Sequence, residues 1–134
     1  MKIDYDELAR ILDVFLDSND AFITLSDIGI NTSHDEQKLI FHLLLLTENG
    51  LISNRNLETG SPKCIGLIPT TKGFVWNAIP IRLTQTGHDF ANALHKKPIL
   101  ERIKNEFADA PFDVVKDISK SLLAQFFKNK LGME

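Results

Sequence analysis

His34, Gln37 and Lys38 open the most apolar helix that the sequence predicts, at steps of three and four that place them on one face. That trio suits nucleic-acid recognition: a glutamine amide matches the edge of adenine, and a lysine ammonium reaches guanine or a phosphate. Arg55, Lys63 and Lys72 follow on a Gly- and Ser-containing stretch, with Arg82 close behind. Cations carried that way can track a DNA backbone. Other residues oppose this reading. Asp35 and Glu36 put two negative charges where phosphates would lie, although both also suit the positive end of a helix dipole. Phe41 and Leu45 make the outer face apolar where a base-reading helix stays polar. They suit a protein partner better.

Other chemistry is thin. The seven glycines are dispersed, and none sits in a G-x-x-x-x-G-K-[ST] phosphate loop. His88 and His95 are seven apart on one predicted helix, about 10 Å along its axis, too far to share one metal ion. His34 and His42 fail in the same way. The lone Cys64, beside Ile65 and Leu67, reads as a small core residue in a strand and excludes an internal disulfide framework. His88, directly after Gly87, is expected to bond a neighbouring carbonyl and hold a junction in place. Trp76 reads first as a packing residue and second as a plug for a base stack or a partner pocket. No residue is assigned a catalytic, metal-binding or cofactor-binding role, and the expectation is a non-enzymatic protein.

Composition bounds the rest. At 134 residues, 43% hydrophobic and 25% charged, the chain matches one globular domain and is too apolar for disorder. A chain of this length buries roughly two-thirds of its unfolded surface, so it needs no covalent staples. The longest nearly apolar run, 39–46, is interrupted by His42 and falls far short of the ~20 residues of a membrane span. The acidic start has no apolar segment of the kind a signal peptide needs, so the expected location is the cytoplasm. The net charge is −3, which weakens a binding mode based on phosphates alone. Its distribution matters more: residues 1–50 carry three basic and ten acidic side chains, and residues 51–107 carry eight and four. An anionic partner has its best chance against the middle third.

The elements that must position these residues follow from periodicity. Tyr5, Leu8, Leu12, Phe15 and Leu16 predict a helix over 4–17, capped by Asp4 with Glu7 three residues on. A short strand over 21–25 and a single helical turn ending at Gly29 come next. Ser33-x-x-Glu36 is a capping box for a helix running to Asn49, with Gly50 as its left-handed stop. Strands are expected at 51–52, 64–68, 74–76 and 79–83, the first two separated by the turn signal at 58–62. Thr84 is the expected N-cap of a helix to His95. Pro98 begins another with Ile99, Ile103 and Phe107 inward, and Pro111 a third with Phe112, Val115, Ile118, Leu122 and Phe126 in one stripe.

This order is that of a winged helix-turn-helix. The stretch from Ser33 to Ile52, with its run of leucines closed by Gly50-Leu51-Ile52, resembles the third helix and first wing strand of bacterial winged-helix regulators. Leu83-Thr84-x-x-Gly87-His88-Asp89-Phe90 resembles the junction after the wing. With Phe112-Asp113-Val114-Val115-Lys116, it is similar to the domain of unknown function 2513 (DUF2513) family, across most of the chain. The pattern departs between Arg55 and Ile81, where the wing is longer and carries Trp76.

The resemblance implies a prophage- or mobile-element-linked protein of winged-helix architecture and leaves the biochemistry open. The expected class is α+β, mainly helical: a winged helix-turn-helix domain over 1–97 with its wing at about 51–83. A C-terminal helical extension over 98–134 either packs on it or mediates dimerisation. The expected function is a DNA-binding regulator of transcription or an accessory factor, with His34, Gln37, Lys38, Arg55, Lys63 and Lys72 facing double-stranded DNA. The alternative is a protein-interaction module, for example a phage product binding a host protein, that uses Phe41, Leu45, Trp76, Phe126 and Phe127. Surplus apolar residues at Phe112, Leu122, Phe126 and Phe127 point to a homodimer.

Overall fold

The first amphipathic stripe forms α1 over Tyr5–Asp17 in a computed structural model, which describes residues 1–32 and 35–132. Asp4 caps this helix: its Oδ1 accepts the backbone N–H groups of Asp6 at 2.9 Å and Glu7 at 3.2 Å. Glu7 does not return the bond: the Asp4 N–H goes to His42 Nε2 at 2.8 Å, and the Glu7 carboxylate pairs with Arg10 at 2.6 Å. Next come α2 (Leu25–Ile28), ended by left-handed Gly29, and α3 (Glu36–Glu48). The strand expected at 21–25 reduces to one bridging residue, Ile23. The Asp27 carboxylate accepts the Thr24 N–H at 2.8 Å and draws the chain into α2 by Leu25.

The start of α3 also corrects the sequence reading. Ser33 and His34 lie outside the described residues, and the N-cap is Asp35, whose side chain accepts the Lys38 N–H at 3.0 Å. Glu36 is therefore the first helical residue, not the third of a capping box. The far end behaves as expected. Gly50 adopts φ 70°, its N–H reaches the Thr47 carbonyl at 3.0 Å, and the Leu51 N–H reaches Leu46 at 2.9 Å. These paired bonds satisfy two of the helix's last carbonyls and turn the chain directly into a strand.

Four short strands follow: β1 (Ile52–Asn54), β2 (Leu67–Thr70), β3 (Gly73–Trp76) and β4 (Ile81–Leu83). β1 and β4 pair antiparallel, Ile52 opposite Leu83 and Asn54 opposite Ile81, while Ile23 bridges to Ile81 from the other side. β4 is thus central between β1 and the Ile23 segment. β2 and β3 form a separate antiparallel hairpin, Leu67 opposite Trp76 and Pro69 opposite Phe74. The residues between β1 and β4 are therefore not one ribbon. The strand expected over 64–68 is a 3-10 turn, Pro62–Ile65, before β2 begins. Pro62 presets the turn, Gly66 ends it at φ 94°, and a Cβ on Gly66 would run into the Asn77 carbonyl oxygen. Cys64 accordingly lies partly exposed on the turn, and Ile65 takes the fully buried position instead.

The last third is helical as expected: α4 (Gln85–His95), α5 (Lys97–Glu106) and α6 (Phe112–Lys130). Thr84 caps α4 by accepting the Gly87 N–H at 3.0 Å. Phe112 meets Phe90 edge-on with ring centroids 5.6 Å apart, which ties α6 to α4. One core holds the molecule together: Leu8, Leu12, Leu39, Leu43, Ile52, Ile81, Phe90, Ile103 and Val115 belong to a single cluster. The architecture is α+β and mainly helical, with two small antiparallel sheets among the described residues. Among those residues no helix is long and apolar enough to cross a membrane.

Candidate functional site

α3 is covered on more than one side. Leu39, Leu43 and Leu46 are fully buried on the core face, and His42 and Thr47 are buried beside them. Phe41, Leu44 and Leu45 are half-buried, and Gln37 is exposed. His42 shows why this packing is tight. Its Nε2 accepts the Asp4 N–H at 2.8 Å, so the ring proton sits on Nδ1 and goes to the Lys38 carbonyl at 2.7 Å. One buried ring thereby staples α3 to the start of α1.

Lys38 grips the same residue. Its ammonium lies 2.6 Å from Asp4 Oδ2, with both side chains about one-third exposed. The hydrogen bond from Lys38 holds the Asp4 carboxyl below its usual range, with burial opposing it in part, and the same bond raises the Lys38 ammonium. Beside this pair, Lys104 reaches Asp6 at 3.0 Å and Glu101 at 3.4 Å, and its ammonium is raised chiefly by Asp6. Asp4, Asp6 and Asp35 line an open groove of about 450 Å³ together with Lys2, Lys38 and Lys104, three carboxylates against three lysines.

A second groove, of about 460 Å³, lies between α3 and the β2–β3 hairpin. Its apolar wall is Ile40, Phe41, Leu44 and Phe74, and its rim carries Glu36, Gln37 and Lys72. The structure thus brings Gln37 and Lys72 together and sends Lys38 to the other groove. His34 lies outside the described residues. Arg55 and Lys63 are exposed, on the loop after β1 and on the 3-10 turn, and neither borders the groove that holds Lys72.

Among the residues singled out for a partner, Phe41 borders that groove, while Leu45 and Trp76 pack against the core and stay half-buried. Phe126 is half-buried under the Lys96 ammonium, 5.6 Å from its ring centroid, and Phe127 stands edge-on to Phe126, 48% exposed. His88 does not hold the junction; its ring is exposed. Thr84 does that work, with its Oγ1 donating to the Gly50 carbonyl at 2.7 Å and its N–H to the Leu51 carbonyl at 3.0 Å. Among the described residues, no three or more His, Cys, Asp or Glu side chains come together to hold a metal ion.

Comparison with protein families, with curated proteins and with solved structures finds no match for this chain. The functional reading therefore rests on its own geometry. The sequence marks Asp4 only as a helix cap and gives His42 no partner. No local signal reveals that both meet at one point, since Asp4 and His42 are 38 residues apart.

Proposed function

We propose that the chain is a winged helix-turn-helix protein of the DUF2513 type that acts by binding, as a DNA-binding regulator or accessory factor of a prophage or similar mobile element. The observation that carries this reading is the connectivity around α3. The turn at Gly50 leads straight into β1, β1 pairs with β4, and Ile23 closes the far side of β4. That arrangement leaves the first turn of α3 beside the segment inserted between β1 and β4, and it sets Gln37 and Lys72 on one rim. Gln37 would face base edges, and Lys72, Lys63 and Arg55 would meet phosphates. His34 belongs to the same proposal on sequence grounds alone.

The test is binding to random-sequence duplex DNA across a salt series. Wild-type protein should bind at about 50 mM salt and lose affinity steeply as salt rises, and charge reversal at both Lys63 and Lys72 should flatten the log–log slope by about 2. An unchanged slope in that variant sinks the phosphate assignment.

A second reading has its own support. The apolar wall at Ile40, Phe41, Leu44 and Phe74, and the diversion of Lys38 to Asp4, favour a winged-helix module that binds a host or phage protein. Absence of DNA binding at low salt, with a host protein retained in a pull-down that Phe41→Glu abolishes, decides for it.

A further inference from the structure

We propose that Asp4 is a built-in stand-in for a phosphate, occupying the only lysine of α3 and withholding it until a polyanion displaces the carboxylate. This rests on the DNA-binding reading above and names a regulatory contact on the neighbouring face of the same helix. Three geometric facts carry it. Lys38 Nζ lies 2.6 Å from Asp4 Oδ2, a charge-assisted contact of the kind a phosphate oxygen would make. The two oxygens of Asp4 divide their duties: Oδ1 alone accepts the Asp6 and Glu7 N–H groups, and Oδ2 goes to Lys38. Finally, His42, one turn beyond Lys38 on α3, accepts the Asp4 N–H and pins the carboxylate in place from the helix it neutralises. Glu7 and Asp35 also face Lys38 and add to the negative surroundings a phosphate must overcome.

Because capping uses only Oδ1, Asp4→Asn keeps the cap and removes the ion pair; asparagine caps as well as aspartate. An exposed pair is weak, so releasing Lys38 should tighten binding to random duplex DNA about two- to fivefold. It should also steepen the salt slope by about 0.9, the value of one added phosphate contact. The set to compare by fluorescence anisotropy is wild type, Asp4→Asn, Asp4→Asn with Lys38→Gln, and Asp117→Asn, an equal charge change on the exposed face of α6. The gain should appear in Asp4→Asn, vanish when Lys38→Gln is added, and be much smaller in Asp117→Asn.

A gain equal to that of Asp117→Asn, or one that survives Lys38→Gln, overturns the stand-in and leaves the DNA reading intact. Absence of binding by all four proteins removes both. Thermal melting checks that the cap survives, and Asp4→Ser, which also caps without a carboxylate, repeats the comparison if Asp4→Asn is unstable.

Discussion

Tyr5 carries a hydroxyl that is buried without a hydrogen-bond partner among the described residues, on a side chain only 3% exposed. Burial pushes its phenol up to about 12. A buried polar atom with nothing to bond contributes no stability and costs desolvation, so Tyr5→Phe should leave stability at neutral pH unchanged or raise it by up to about 1 kcal/mol. The pH dependence has a definite sign. Because burial opposes ionisation of the phenol, wild-type stability is at its full value below the unfolded value, near 10, and falls as pH climbs through about 12. Denaturation curves for Tyr5→Phe and wild type should therefore diverge in favour of the variant as pH rises from about 9 to about 12. A clear loss of stability at pH 7 would mean that the hydroxyl has a partner after all. Asp4 runs the other way: its lowered carboxyl supports the fold above its unfolded value and loses that support as the solution is acidified. Its role as a cap was legible in the sequence because Asp6 and Glu7 are neighbours. Its bonds to Lys38 and His42 were not.

At the scale of elements, the junction between β4 and α4 shows how closely two pieces of chain can be required to meet. A Cβ on Gly87 would overlap the Leu51 carbonyl oxygen, which already accepts the Thr84 N–H. Backbone on both sides leaves nothing flexible to move aside. Gly87→Ala should cost about 2–4 kcal/mol in urea denaturation, whereas Gln85→Ala, on the exposed side of the same turn, should stay within about 0.5 kcal/mol. Comparable losses in the two variants would show that the approach of α4 to β1 is looser than the structure indicates. The sequence motif marked this place correctly and assigned its work to the wrong residue: His88 is exposed, and Thr84 and Gly87 make the contacts. The helices were read well because their apolar residues repeat within one turn of each other. The segment between β1 and β4 was read less well. Its course depends on Ile65 and Leu67, both fully buried, entering a core built by distant residues.

For the whole molecule, the end of α6 presents apolar side chains to solvent. Phe127 and Leu131 are 48% and 76% exposed there, whereas Phe112 and Leu122, two of the four residues behind the expected homodimer, pack against the core. Sedimentation should show association that strengthens with concentration, and Phe127→Ser with Leu131→Ser should shift the protein toward monomer without loss of helical signal. A wild type that stays monomeric at every concentration rules the dimer out. The helices, the cap at Asp4, the stop at Gly50 and the cap at Thr84 are legible along the chain, because the bonds that fix each join residues no more than five positions apart. That Lys38 is held by Asp4, that Thr84 reaches Gly50, and that Lys72 borders the same groove as Gln37 emerge only once the chain has folded. Those partners lie more than thirty residues apart along the chain. Packing of the shared core brings them together, and no local pattern of residue types encodes that distance.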